Sequence, residues 1–227
     1  MAAPFRIVFI LYSKLTQLDF TGPYEVLARM PGAEVVVASK EGGSLQSETG
    51  LTFGNLARLA DIESCDMIMI PGGPGQTAAM QDPEFMDQVR RLAATAKYQT
   101  SVCTGSLILG AAGLLQGKQA GTHWAYRELL PLFGAVASDQ RVVRDGNVVT
   151  GGGVTAGIDI ALSIVADLKG EDVAKMIQLM IEYAPAPPFN AGRPETAPPE
   201  TVQAVKARFA AFSQARRAAI EEMTGTS

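Results

Sequence analysis

Short apolar segments alternate with longer amphipathic segments along most of the chain. The apolar segments predict strands at Phe5–Tyr12, Glu34–Ser39, Met67–Ile70 and Tyr98–Val102. The amphipathic segments predict helices at Leu18–Met30, Pro83–Ala96, Thr104–Ala112, Thr155–Leu168 and Asp172–Tyr183. Strands that are apolar almost throughout are typical of a parallel sheet with helices on both faces. We therefore predict an α/β fold whose functional site lies at the carboxyl ends of the strands.

Two further segments predict hairpins, at Leu45–Phe53 and around the turn Asp145-Gly146-Asn147. Near the end of the chain, residues 184–199 are rich in proline, which is excluded from helix interiors and central strands. We predict that residues 1–183 form the α/β domain. Residues 184–227 would then be an extended arm and a helix at Glu200–Met223. The apolar face of that helix would pack on the same domain or on a dimer partner.

Composition excludes several classes of protein. Of the 227 residues, 47% are hydrophobic and 19% are charged, which is enough to bury a sizeable core and rules out global disorder. The net charge of −4 argues against nucleic-acid binding as the main function, because such surfaces are basic. No apolar run approaches the roughly 18 residues of a membrane span. With two cysteines and no export signal, we expect a reducing, cytoplasmic compartment.

The segment Tyr98–Ser106 gives the sharpest chemical signal. A strand runs directly into a helix with Cys103 at the corner, which is the layout of a nucleophile elbow. Backbone N–H groups at a helix N-terminus favour a thiolate, so we expect a lowered pKa and a nucleophilic Cys103. The alternative is a buried, inert cysteine, and that is our interpretation of Cys65, which precedes a strand on the far side of the sheet.

Three other motifs are ambiguous from the residues alone. The glycines of Pro71–Gly75 follow an apolar strand and could form an oxyanion-type hole or a plain tight turn. Asp19 lies after the first strand, where it is either a helix cap or an acid at the mouth of the sheet. His123 is the only histidine and lies well beyond the Cys103 helix, so we interpret it as structural. No Cys, His or Asp cluster has metal-ligand spacing, and we expect no metal.

Six motifs taken together resemble the ThiJ/PfpI superfamily, which belongs with the class I glutamine amidotransferase-like proteins. They are Asp19-Phe20-Thr21-Gly22-Pro23, Pro71-Gly72-Gly73, Ser101-Val102-Cys103-Thr104-Gly105-Ser106, Thr122-His123-Trp124, Thr150–Asp159 and Pro187-Pro188-Phe189-Asn190-Ala191-Gly192. They occur in the order of the family and span nearly the whole chain. The resemblance implies a flavodoxin-like three-layer sandwich and a homodimer.

The same resemblance implies roles for individual residues. It makes Cys103 the nucleophile and Asp19 the general acid, and it puts the amides of Gly72 and Gly73 beside the thiolate. Thr104 is expected either to donate a hydrogen bond at the site or simply to begin the helix. No metal or organic cofactor is implied.

The resemblance favours one activity over two alternatives. Protease-like and glyoxalase-like members usually have glutamate in place of Asp19, and many have histidine in place of Thr104. These departures favour the hydration of a small-molecule isocyanide to an N-formamide through a Cys103 thioimidate. A ligand- or redox-sensing domain, as in AraC-type regulators, and a glyoxalase-type enzyme are the alternatives. Only 35 residues follow Gly192, too few for the two helix-turn-helix units of such a regulator. We expect neither nucleic acid nor membrane as a partner.

Overall fold

An eight-stranded sheet forms the centre of the protein, of which a computed structural model describes residues 3–225. Its strands are β1 (Phe5–Leu11), β2 (Ala33–Ser39), β3 (Gly43–Gln46), β4 (Thr52–Arg58), β5 (Met67–Ile70), β6 (Tyr98–Ser101), β9 (Val142–Asp145) and β10 (Val148–Gly151). Their order in the sheet is β3-β4-β2-β1-β5-β6-β10-β9. Pairing is parallel from β4 to β10 and antiparallel only in the two edge hairpins, β3–β4 and β9–β10.

Helices cover both faces of this sheet. They are α1 (Gln17–Leu27), α2 (Gln76–Gln81), α3 (Pro83–Thr95), α4 (Gly105–Ala111), α5 (Ala156–Lys169), α6 (Glu171–Met180) and α7 (Pro199–Thr224). Helix α5 packs between α1 and α6, while α2 contacts α3, α4 and α7. Because helices lie on both sides, every side chain of β5 is buried, which explains its uninterrupted Met-Ile-Met-Ile sequence. The predicted flavodoxin-like sandwich and both hairpins are confirmed.

The segment between α4 and β9 was not predicted in detail. It contains a separate two-stranded ladder of β7 (Gln119–Ala120) and β8 (Val136–Ala137), joined by a 3-10 helix at Trp124–Phe133. Pro131 lies inside that helix, and Gly134 ends it in the left-handed conformation. Proline cannot continue an α-helix ladder, and glycine tolerates a positive φ.

Helix α7 folds back onto the α/β domain of its own chain. It contacts the 3-10 helix and α2, and its buried residues are Arg216, Ala219 and Ile220. The preceding residues 184–198 form neither helix nor strand, in keeping with their prolines. Among the helices of residues 3–225, none is both long enough and apolar enough to cross a membrane.

Candidate active site

Cys103 occupies the corner between β6 and α4. Its φ of 54° lies in the left-handed region, which is uncommon for a residue with a side chain and shows that the turn is tight. Its N–H donates to the Gly152 carbonyl at 3.0 Å, and the Thr122 hydroxyl donates to its carbonyl at 3.0 Å. Neighbouring loops therefore hold the turn from both sides, and the predicted strand–turn–helix layout is confirmed.

Asp19 meets this corner from α1. The helix has Thr16 at its N-cap position, and Asp19 lies in the first turn, so the interpretation of Asp19 as a helix cap is wrong. The carboxyl is fully buried. Its Oδ2 accepts a hydrogen bond of 2.8 Å from the Gly72 N–H, and the Cys103 thiol also interacts with the carboxyl. Asp19 thus bridges the β5–α2 loop and the nucleophile elbow.

Burial controls the protonation of both groups. It raises the pKa of Asp19 to about 7, although the Gly72 N–H and the thiol oppose the shift. Burial, followed by the nearby Asp19, raises the pKa of the Cys103 thiol well above its ordinary value. The N–H groups of Val154 and Thr104 act in the opposite direction but are outweighed. The expected lowering of the thiol pKa is therefore wrong, because Cys103 is only 5% exposed and its anion loses hydration.

Thr104 and the glycine loop are tied together by hydrogen bonds. The Thr104 hydroxyl is buried and accepts from the Gly73 N–H at 3.1 Å. A Cβ on Gly72 would lie 2.6 Å from the Thr104 nitrogen and 2.8 Å from Asp19 Oδ2, so only glycine leaves this space open. The amides of Gly72 and Gly73 thus donate to Asp19 and Thr104. This differs from the expected oxyanion hole, because both N–H groups already have partners within the protein.

His123 belongs to an aromatic cluster beside the site. Its ring meets Phe209 edge-on with centroids 5.7 Å apart, and its Nδ1 accepts from the Ala125 N–H at 3.3 Å. Burial, with a smaller effect of Arg216, lowers its pKa to about 4, so the ring is neutral at pH 7. Within residues 3–225 it makes no hydrogen bond to Cys103, in agreement with a structural role.

Cys65 lies apart from these groups. It is buried just before β5, near the carbonyl of Leu92 in α3, and burial raises the pKa of its thiol. Both cysteines are free. Among the described residues, no group of three or more His, Cys, Asp or Glu side chains is arranged to hold a metal ion.

A cavity of about 230 Å³ opens next to the elbow. Its lining includes Thr122, His123 and the backbone of Gly152–Thr155, which also supplies the acceptor for the Cys103 N–H. Another cavity, of about 290 Å³, is lined by Tyr12, Lys40 and Phe85. Neither cavity is lined by Cys103 or Asp19 themselves, but Thr122 and Gly152 of the first cavity hydrogen-bond to the Cys103 backbone.

Arg216 is a buried residue beside the site that the sequence did not single out. It reaches the Gly72–Gly73 loop from α7, more than a hundred residues away along the chain. A signal was present, since the apolar face predicted for this helix includes Phe209 and Phe212, and Arg216 continues the same face one turn later.

The chain is similar to known proteins in both sequence and structure. Residues 5–167 match the model of the DJ-1/PfpI family. The chain is 51% identical over 205 residues to an isonitrile hydratase of Pseudomonas putida, covering 90% of each chain. It superimposes on the crystal structure of a ThiJ/PfpI family protein from Pseudomonas syringae with a TM-score of 0.93 and 40% identity, covering 96% of this chain and 90% of that one. It is also 26% identical over 182 residues to an HTH-type transcriptional regulator of Rhizobium meliloti, covering 76% of this chain and 56% of the regulator.

Proposed function

The chain belongs to the DJ-1/PfpI family, and on that premise we propose that it hydrates isocyanides to N-formamides with Cys103 as nucleophile and Asp19 as general acid and base. The observation that carries the proposal is the buried Cys103–Asp19 pair. It is supported by the 51% identity to a relative named for this activity. An isocyanide has one electrophilic atom, its terminal carbon, which must gain a sulfur bond and a proton together. A thiol beside a carboxyl that titrates near pH 7 supplies both.

In the first step, the Asp19 carboxylate takes the thiol proton as the Cys103 sulfur attacks the terminal carbon. Asp19 then delivers that proton to the same carbon, which would otherwise carry the electron pair as a carbanion. The product is a thioimidate, Cys–S–CH=N–R, formed by the net addition of S–H to the carbon. Burial supports this step, because raised pKa values keep a transferable proton on the pair at neutral pH.

In the second step, water adds to the thioimidate carbon, and Asp19, again as carboxylate, accepts one proton from the attacking water and passes it to the nitrogen. The tetrahedral adduct is R–NH–CH(OH)–S–Cys. It collapses with cleavage of the carbon–sulfur bond, and the hydroxyl proton passes through Asp19 to the departing sulfur. The sum is R–NC plus water giving R–NH–CHO, with the enzyme regenerated. The N–H groups of Thr104 and Val154 act on the sulfur and favour its departure as an anion.

The cavity beside Gly152–Thr155 supports the choice of a small substrate. The proposed setting is a reducing cytoplasm, which would keep the Cys103 thiol free. The raised pKa of that thiol argues against a redox sensor, since oxidation-sensitive cysteines are exposed and of low pKa.

The direct experiment measures N-formamide formation from a simple alkyl isocyanide. Wild-type protein and Cys65→Ala should turn the substrate over, while Cys103→Ala should stay folded and lose all turnover. Methylglyoxal serves as the competing substrate for a glyoxalase. Hydration by Cys103→Ala near the wild-type rate would refute the mechanism, and turnover of methylglyoxal alone would refute the substrate class.

We also propose that the protein is a homodimer. Helix α6 exposes an apolar face of Met176, Leu179 and Met180, and Leu179 is 81% exposed. Phe189 in the proline-rich arm is exposed as well. Contiguous exposed apolar side chains of this size are typical of protein interfaces, and a second copy of the chain would cover them.

A further inference from the structure

One cation is buried against the Gly72–Gly73 loop, and it comes from outside the segment that matches the family model. Arg216 lies in α7, beyond residue 167, and is only 3% exposed. The adjacent Arg217 is partly exposed and pairs with Glu128 and Glu221 at the surface. The two neighbouring arginines therefore have different environments on the same helix.

The partners of Arg216 are all neutral. Its Nε donates to the Gln76 side-chain oxygen at 2.9 Å, and its Nη2 donates to the Gly73 carbonyl at 3.1 Å. The guanidinium carbon lies 4.2 Å from the centre of the Tyr126 ring. Within residues 3–225, Nη1 is buried without a hydrogen-bond partner, and no carboxylate forms an ion pair with the guanidinium.

A buried guanidinium without a counter-ion is unfavourable, and it cannot become neutral by losing a proton. The titratable groups that its charge acts on are Tyr12 just after β1, Cys103 at the elbow, His123 at the N-cap of the 3-10 helix and Tyr126 within that helix. Both tyrosines have raised pKa values and His123 a lowered one, so all three are neutral near pH 7. Of the four, only Cys103 becomes an anion during the proposed reaction.

Arg216 also contacts the loop that hydrogen-bonds to the acid. Arg216 donates to the Gly73 carbonyl, while the N–H of the same residue donates to the Thr104 hydroxyl. The preceding Gly72 N–H holds Asp19. Displacement of the guanidinium would therefore loosen the loop that sets the distance between acid and nucleophile.

Resting on the proposed function, we infer that Arg216 is a positioning residue that supplies the counter-charge for the Cys103 anion and braces the Gly72–Gly73 loop. The C-terminal helix is in that case part of the catalytic apparatus. This role explains why, among the described residues, the Nη1 donor has no hydrogen-bond partner and the guanidinium has no carboxylate beside it. The counter-ion is the Cys103 thiolate, which exists only when the sulfur is deprotonated.

The test is the pH dependence of Cys103 alkylation by iodoacetamide, measured in a Cys65→Ala background so that one thiol reacts. Arg216→Met keeps the length and the apolar contact with Tyr126 but removes the charge. We expect the apparent thiol pKa to rise by about one unit, which is about tenfold slower alkylation at a fixed neutral pH. Arg216→Lys keeps the charge and should restore most of the rate. Arg217→Met is the matched control and should leave the profile unchanged.

Three outcomes would overturn the inference. The first is a folded Arg216→Met variant with the wild-type alkylation profile. The second is an Arg216→Lys variant shifted as far as Arg216→Met, since geometry and not charge would then be responsible. The third applies if Arg216→Met does not fold: a rise of about one unit in the apparent thiol pKa of Arg216→Lys would then overturn the inference. Alkylation needs no isocyanide, so failed hydration by the wild type would refute the proposed function and leave this inference intact.

Discussion

Burial of the Asp19 carboxyl couples folding stability to pH. The pKa of this group is about 7 in the folded protein against an ordinary value of 3.8, so the folded state binds the proton more tightly than the unfolded chain. Its contribution to stability is complete below about pH 4 and is lost as the pH rises through 7. A shift of roughly three units corresponds to about 4 kcal/mol, an upper limit for one buried group. The proposed acid function therefore depends on an environment that destabilises the fold at neutral pH.

Replacement of Asp19 by asparagine separates function from stability. Asp19→Asn cannot transfer a proton and should lower the hydration rate by roughly 10²-fold or more. The same variant should melt at a higher temperature than wild type at pH 8, because it removes a buried charge, and the difference should vanish near pH 4. Asp19→Glu should retain partial activity, and Asp61→Asn, at an exposed position, should match wild type in both measurements. An active Asp19→Asn variant would contradict the proton-transfer role.

The protonation of the pair also predicts a pH–rate profile. Turnover needs one proton on the Cys103–Asp19 pair and a carboxylate to move it, so the doubly protonated form is inactive. We expect kcat/KM to rise with pH through about 7, the pKa of Asp19, and to fall only at high pH where the thiol also loses its proton. Initial rates of N-formamide formation across this range measure the profile. A rate that is flat between pH 5 and 9 would exclude the assignment of Asp19.

At the scale of elements, the loop between β5 and α2 lies close to both Asp19 and Thr104, because its glycines have no side chains. An added Cβ at Gly72 would meet the Thr104 nitrogen at 2.6 Å and Asp19 Oδ2 at 2.8 Å, distances that real contacts do not show. We expect Gly72→Ala to displace Asp19 and to reduce hydration about 10²-fold, because small misplacements at a reacting centre are costly.

Gly54→Ala is the control for this element. Gly54 lies in β4 with open space around its Cβ position, so the substitution should leave both the rate and the melting temperature close to wild type. Hydration rates and thermal unfolding of both variants decide the matter. Full activity of Gly72→Ala would show that the loop can shift without moving the acid.

At the scale of the whole molecule, the exposed face of α6 predicts association. Light scattering should give a mass of about twice 23.9 kDa. Leu179→Asp places a charge in the centre of the apolar face and should shift the protein towards the monomer. Leu51→Asp changes a similarly apolar but isolated exposed residue and should leave the dimer intact. A mass of 23.9 kDa for wild type at micromolar concentration would refute the dimer.

The sequence by itself determined the architecture and the strand–turn–helix corner at Cys103. Uninterrupted apolar strands such as Met67–Ile70 are typical of sheets that are covered on both faces. The hydrophobic pattern therefore predicts a sheet with helices on both sides. The elbow at Cys103 is equally local, since a strand, a small-residue turn and a helix are consecutive in the chain. Family motifs then pointed to Asp19 as the acid, which residue types alone left open.

Only the tertiary structure decided the electrostatics of the site. A local pattern shows the helix that follows Cys103 but not the protein packed over the thiol, and desolvation by that protein outweighs the nearby N–H groups and raises the pKa. The partners of the Gly72 and Gly73 amides likewise come from α1 and the elbow, at distant positions in the chain. Arg216 reaches the same loop across 143 residues. Charge and burial depend on all groups within several ångströms in space, whereas a sequence records only neighbours along the chain.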